Sequence, residues 1–460
     1  IDSQIRNQQT IGIAEAFTFI NRAAMRPGDY LYKLSGIDDL WLGCWGLIRA
    51  FRRPNNSQDA QLPLLDPAPA APTVPPHTGV RRFWVEARQT TLQYRRDLVD
   101  PFALVYRVTR TQGPTDPAPV PVTGAEPGPL VLWCREGEQV VVTVRNRFPE
   151  GTVIEPEPFA PEVPVERAAR PVSSHVSMHA DLVEYDISSS DGANIGNNPL
   201  QSVRPQAART YTWRTYRPAD SNEALGPVLL QDMADVRNHR HHGLIGALVI
   251  LPANAKPYLV TAGQKTATAA APERWHGARV TVRHTTNGAV SKVTEEMVVL
   301  LQDGLRLFHN GQIGFPLPDP PGEIAGEAED EDQGQKGLNY RSEPRGPVFD
   351  PQGSDYTLAK PNPATPIWHV PVGKPVRFHL VGGLDKPRNY SFTIHGVAWP
   401  EHRFGQPPQL RPMVASESAI TCGTVRTFEF TPTHVGDHAY RAGALQWAVA
   451  QGMWGILRVV

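Results

Sequence analysis

Residues 434–460 read HVGDHAYRAGALQWAVAQGMWGILRVV, and residues 26–51 read RPGDYLYKLSGIDDLWLGCWGLIRAF. Gly28-Asp29, Tyr32, Trp45-Gly46 and Arg49 fall on Gly436-Asp437, Tyr440, Trp454-Gly455 and Arg458, with one residue of slippage between the two halves. Self-similarity at a fixed offset is the mark of a repeated structural unit. The offset, about 408 residues, equals two domains of roughly 200 residues each. The chain therefore reads as the end of one such pair followed by a complete second pair, with residues 1–53 completing a domain built mostly elsewhere. The plainer alternative is a strand tail that decorates the second pair. A β-sandwich lacking most of its strands exposes edges and an open core, so the first reading calls for a partner: an upstream part of the same protein or a companion chain.

Between the two copies lie short alternating or β-branched runs: Arg82–Ala87, Glu138–Val144, Tyr211–Tyr216, Gly246–Leu251, Glu296–Leu301 and Val376–Val381. Such runs predict strands. Pro, Gly, Asn and Asp separate them and helical periodicity is rare, so the class expected is all-β, in antiparallel sandwiches of short strands. A Pro-rich stretch at 54–76 reads as an extended linker, and another at 114–129 as a long loop within a domain. The zone 315–351 carries Glu327, Glu329, Asp330, Glu331 and Asp332. Without spaced ligand positions it reads as a solvated acidic loop rather than a hard-cation site.

Composition narrows the function classes. With 460 residues, 45 Lys+Arg and 46 Asp+Glu, the net charge is −1, so no global field draws nucleic acid or an anionic bilayer. Cys44, Cys134 and Cys422 allow at most one bridge and form no zinc pattern. No apolar run reaches the roughly 18 residues of a membrane span, and no leader is legible. There is no nucleophile elbow, phosphate loop or dinucleotide fingerprint, which removes ordinary hydrolase, kinase and dehydrogenase readings. The ten Trp, among them Trp41, Trp45, Trp447 and Trp454, read as core and sheet-capping aromatics.

The phrase Gly436-Asp-His-Ala-Tyr with Gly452-Met-Trp-Gly-Ile-Leu-Arg-Val resembles the last motif of the multicopper oxidases, enzymes of the cupredoxin fold. His242-Gly-Leu-Ile-Gly-Ala-Leu-Val-Ile is similar to the strand after their second copper motif, and Phe392-Thr-Ile-His395-Gly to their third. Ser188-Ser-Ser-Asp-Gly-Ala and Lys336-Gly-Leu-Asn-Tyr-Arg-Ser-Glu-Pro look most like the large bacterial manganese-oxidase and ceruloplasmin-like branch. The resemblance covers about residues 80–460 and recurs in 1–53. It implies tandem cupredoxin-like Greek-key β-sandwiches over 54–255 and 256–460. It also implies oxidoreductase chemistry, with substrate oxidation coupled to dioxygen reduction, and an exported or cell-envelope location.

In that family four histidine motifs hold one type 1 copper and a trinuclear cluster, because imidazole and thiolate suit copper. By the resemblance, the first motif falls on His179 and Asp181 and the second on Gln231 and Met233. The third falls on Tyr390, Thr393 and His395, and the fourth on Arg441, Ala442, Gly443 and Trp447. Two of the eleven ligand positions keep histidine, and no cysteine stands where type 1 copper requires one. The amino-terminal copy is as bare, with Lys33, Leu34 and Ser35 in the matching places. The expectation is a copper-poor structural half: copper belongs to the whole protein, and the cluster lies elsewhere.

Three other groupings bear on metal. His179, His395 and Asp181, brought together across a domain interface, would make a two-histidine, one-carboxylate mononuclear site for copper, iron or manganese. His239 and His241, on a strand, would share a face and could chelate a divalent ion, against which a surface or interface loop is the plainer reading. His175 and His179 are four apart, which suits a helix face but spans too far on a strand. His402 is a single loop histidine. Three functions therefore remain open: a copper-poor half of an oxidoreductase, a copper-free scaffold with a structural or protein-binding role, and a mononuclear metal enzyme.

Overall fold

A computed structural model describes residues 27–34, 43–50, 76–124, 128–149, 172–216, 225–261, 263–309, 312–313, 335–344, 362–384, 389–401, 411–443 and 448–460, with a few isolated positions. The linker at 54–75, the acidic run 327–332, Ser35, Trp41, His402 and Trp447 lie outside them. The β-branched runs quoted above fall in the strands Gly79–Gln89, Glu138–Asn146, Ala208–Arg214, Ile245–Leu251, Ala289–Leu305 and Val376–Gly383, except that Thr215 and Tyr216 lie past the end of the third. Alternation explains them. In Glu138–Asn146, Val140, Val142 and Val144 are fully buried while Val141 and Thr143 between them are not, the period of two that a half-buried strand demands.

The first sandwich packs two sheets. One orders His179–Ala180, Gly226–Gln231, Ile245–Leu251 and Leu130–Arg135; the other orders Glu184–Tyr185, Ala208–Arg214, Glu138–Asn146, Gly79–Gln89, Leu104–Gln112 and Val120–Pro121. The consecutive strands Leu130–Arg135 and Glu138–Asn146 part into different sheets, and each meets a remote strand in parallel, which is a Greek-key path. The second sandwich repeats the plan. Ala255–Leu259, Arg279–Thr286, Ala289–Leu305, Val376–Gly383 and Val425–Phe430 form one sheet; Ile367–Val370, Trp454–Val459, Gly436–Ala442, Tyr390–Ile394 and Ser416–Ile420 form the other. The Pro-rich 114–129 stretch sits at an edge of the first sandwich, where Val120–Pro121 pairs with Arg110–Thr111.

Three apolar clusters hold this together. Phe83, Val142, Trp213 and Leu248 belong to the core of the first sandwich; Phe378, Phe392, Tyr440 and Leu457 belong to that of the second. A third cluster joins the two bodies: Trp133, Ile245, Ala247 and Val249 of the first meet Val280, Val282, Val298 and Leu300 of the second. Strand Ile245–Leu251 is thus buried on both faces, which accounts for its unbroken apolar run where other strands alternate. Truncating any one of the larger of these side chains to Ala costs about 2–5 kcal/mol. A small sheet of Leu92–Arg95, Leu98–Asp100, Phe308–His309 and Gln312–Ile313 laces the two sandwiches a second time.

Helix is scarce. Asn238–His241 is a single turn, and no helix among the described residues is long and apolar enough to cross a membrane, which says nothing of a β-barrel. The amino-terminal hairpin, Gly28–Lys33 paired with Trp45–Ala50, forms a two-stranded sheet of its own.

Candidate functional site

The residues matched to the first two copper motifs meet on one sheet, because His179 is the direct cross-strand partner of Gln231. His179 Nε2 lies 3.0 Å from Asp181 Oδ1, and Nδ1 lies 2.7 Å from the Asp191 carbonyl and 3.2 Å from Asp191 Oδ1. Both ring nitrogens face acceptors, so both must carry hydrogen. Burial alone would push the imidazole down, but Asp181 and Asp191 outweigh it and raise its pKa from 6.5 to about 10. Burial works against the Asp181 carboxylate too, and His179, with Lys33 and Arg240 behind it, still holds its pKa below the usual value. Tyr185 stands edge-on to the imidazole at 5.9 Å.

Asp191 is set by its own loop. Gln201 Oε1 accepts from the Asp191 and Gly192 amides at 2.9 and 3.1 Å. Gly192 has φ +84°, and a Cβ there would come within 2.4 Å of the Met178 carbonyl, so only glycine lets the loop pass this close to the histidine strand.

From Asp181 the network continues into the second sandwich. Gln231 Nε2 donates to Asp181 Oδ1 at 3.2 Å, and Gln231 Oε1 accepts from Arg240 Nη2. Arg240 Nη1 donates to the Leu384 carbonyl at 2.5 Å and lies 2.7 Å from Cys422 Sγ. Burial raises the Cys422 thiol, with Arg240 and Lys33 pulling the other way. A guanidinium and an imidazolium therefore share a largely enclosed site with the Asp181 carboxylate, Asp191 and a neutral thiol.

Asn238–His241 supplies Arg240, and here the structure corrects a sequence expectation. His239 and His241 lie on a helical turn, not on a strand or a surface loop, and residues two apart on a helix point roughly 200° apart. His239 Nδ1 meets Asp232 Oδ2 at 2.9 Å and Nε2 meets the Ser173 carbonyl at 2.7 Å. Its pKa is raised because the Asp232 charge outweighs burial. His242 Nδ1 meets Asp100 Oδ2 at 2.9 Å. His239 and His242, at the two ends of the His-Arg-His-His run, have separate carboxylate anchors, and Arg240 projects into the interface between the sandwiches.

The third and fourth motif positions also meet, within the second sandwich. Thr393 is the cross-strand partner of Arg441, and Phe392 that of Ala442. Arg441 Nε donates to His395 Nε2 at 2.9 Å, and His438 Nδ1 lies 2.8 Å from the His395 carbonyl. His395 is exposed, and burial together with Arg441 lowers its pKa. His179 is thus half-buried between two aspartates, whereas His395 is exposed beside an arginine. His175 is exposed, with Nδ1 3.1 Å from Ser202 Oγ. Among the described residues no group of three or more His, Cys, Asp or Glu side chains is gathered so as to hold a metal ion. Cys44, Cys134 and Cys422 form no disulfide among the described residues; the first is exposed and the others are buried.

Sequence reasoning named His179, Asp181 and Gln231 but passed over Arg240, Asp191 and Cys422. A signal for Arg240 was present: a cation sits in a histidine run next to the most apolar strand of the chain.

No protein-family model and no curated protein matches this chain. Solved structures do resemble it, over 83% of its length in each case. They include a multicopper oxidase (TM-score 0.46, 15% identity, 89% of that chain covered) and a copper nitrite reductase from Nitrosomonas europaea (0.45, 14%, 94%). A blue copper oxidase from Nitrosomonas europaea is a third (0.44, 15%, 86%).

Proposed function

We propose that this chain is the copper-poor, structural part of a multicopper-oxidase-like oxidoreductase, with units at 54–255 and 256–460 and the copper held elsewhere in the whole protein. One observation carries the reading: both nitrogens of His179, one of the two histidines left at ligand positions, face acceptors. A metal needs a lone pair on a neutral imidazole, and a doubly donating ring has none to offer. Arg240 adds a second fixed cation against the same carboxylate network, where a metal ion would meet repulsion. The side chains at these positions therefore do not fit copper, and no catalytic step is derived through it. What they do supports a bracing role, since the Asp181–Gln231–Arg240–Cys422 chain ties two sandwiches with hydrogen bonds in place of metal–ligand bonds. An exported or envelope location follows from the same reading.

The test is copper loading of the purified chain followed by dialysis, metal analysis and EPR. Substoichiometric copper with no type 1 signal supports the reading. One equivalent of a metal that disappears in His179→Ala supports the mononuclear alternative, and a whole protein equally free of copper supports the scaffold.

A further inference from the structure

The two hairpins that share a sequence pattern also share their geometry. Tyr32 pairs with Gly46 and Asp29 with Arg49 across the amino-terminal hairpin; Tyr440 pairs with Gly455 and Asp437 with Arg458 across the carboxy-terminal one. Each arginine grips its aspartate with two bonds, at 2.6 and 3.0 Å in the first and 2.7 and 2.8 Å in the second. Each tyrosine ring covers the glycine opposite, where a Cβ would come within 2.3 and 2.1 Å of it.

Their surroundings differ. Tyr440 and Leu457 are fully buried in the second core, with Tyr440 5.5 Å from Phe378 and 6.0 Å from Phe392. The matching Tyr32 and Ile48 are 58% and 49% exposed, and Trp45 is 51% exposed where Trp454 is buried. The opposite face is anchored: Asp29 is 2% exposed, accepts from the Asn197 amide at 2.6 Å and has its own amide bound by Asn198 Oδ1 at 3.0 Å. The hairpin is thus held on the first sandwich through Asp29, while Tyr32 and Ile48 stand exposed on the face that would look into a core.

Both complete sandwiches show what borders such a hairpin. Trp454–Val459 pairs in parallel with Ile367–Val370, and Gly436–Ala442 pairs antiparallel with Tyr390–Ile394. Ile245–Leu251 likewise pairs in parallel with Leu130–Arg135, and Gly226–Gln231 antiparallel with His179–Ala180. Among the described residues the amino-terminal hairpin has neither neighbour. A second copy of the chain has no vacancy to offer, since each of its sandwiches already holds a hairpin at that place.

We infer that the Tyr32–Ile48 face closes a β-sandwich supplied from outside residues 1–460. That unit adds one strand parallel to Trp45–Ala50 and one antiparallel to Gly28–Lys33, and lays an apolar, aromatic inner face on Tyr32 and Ile48. The inference rests on the hairpin geometry and survives whether or not the copper reading does, because its test reads no metal.

The test places a photo-crosslinking residue at position 32 in the full protein in its native cells, with the adduct sequenced. The expected adduct is a strand-patterned peptide from a sequence outside 1–460. Adding Ile48→Asp should lower the yield of that adduct at least tenfold, while Val290→Asp, at an exposed valine elsewhere, leaves it unchanged. An adduct within residues 1–460, or none although the variant keeps its normal unfolding midpoint, overturns the inference. So does an unchanged yield with Ile48→Asp.

Discussion

Arg240 Nη1 lies 2.7 Å from Cys422 Sγ across the interface between the two sandwiches, joining residues 182 positions apart. The contact completes a fan in which one guanidinium satisfies the Gln231 amide oxygen, the Leu384 carbonyl and the thiol. Arg240→Met removes the cation and strands buried acceptors, so stability falls by about 3 kcal/mol in urea unfolding. Arg240→Lys recovers only part of this, because an ammonium cannot reproduce the planar fork.

His179 makes stability depend on alkaline pH. Its pKa is about 10 in the fold against 6.5 as the ordinary value, so folding favours the protonated ring. Its contribution is complete below about pH 6.5 and is lost as pH rises toward 10, at no more than about 1.4 kcal/mol per pH unit. His179→Gln should flatten the unfolding midpoint between pH 7 and 10 while lowering it at pH 6.

Glu296 governs the acid side. Burial would raise its carboxyl, but the Arg377 charge, with hydrogen bonds from His379 and Thr294, brings its pKa to about 2. A depressed carboxylate stabilises above its ordinary value and loses that contribution as pH falls from 4.5 toward 2. Glu296→Gln is expected to cost about 2 kcal/mol at pH 7 and to narrow its deficit against the parent below pH 3, as followed by thermal melts.

The two aspartate–arginine pairs, alike in geometry, differ in burial and so in energy. Asp437 is 46% exposed, and Asp437→Ala should cost under about 1 kcal/mol. Asp29 also bonds the Asn197 amide in a buried setting. Asp29→Ala is therefore expected to cost about 2 kcal/mol locally, read as faster amide exchange in Gly28–Lys33 with little change in the global melt.

These differences show what the sequence displays and what it hides. Period-two alternation in Glu138–Asn146 and the shared Asp–Tyr–Gly–Arg spacing of the hairpins are local, and they mark strands and register without any tertiary information. Motif matching put His179 and Gln231 each at a ligand position, but their pairing was not legible, since 52 residues of chain separate them. Arg240 and Cys422 could not be paired at all from sequence, because their contact exists only once two sandwiches pack face to face. The helical turn at Asn238–His241 was misread as strand or loop because a four-residue element carries too little periodicity to reveal itself.

The most direct test of the account is the protonation of the His179 ring, read by nitrogen-15 NMR on histidine-labelled protein at pH 8, with His179→Gln to assign the signals. The account predicts that both ring nitrogens carry hydrogen at that pH, held by Asp181 and Asp191. A neutral ring, with one nitrogen bare and its signal shifting on copper addition, would contradict it.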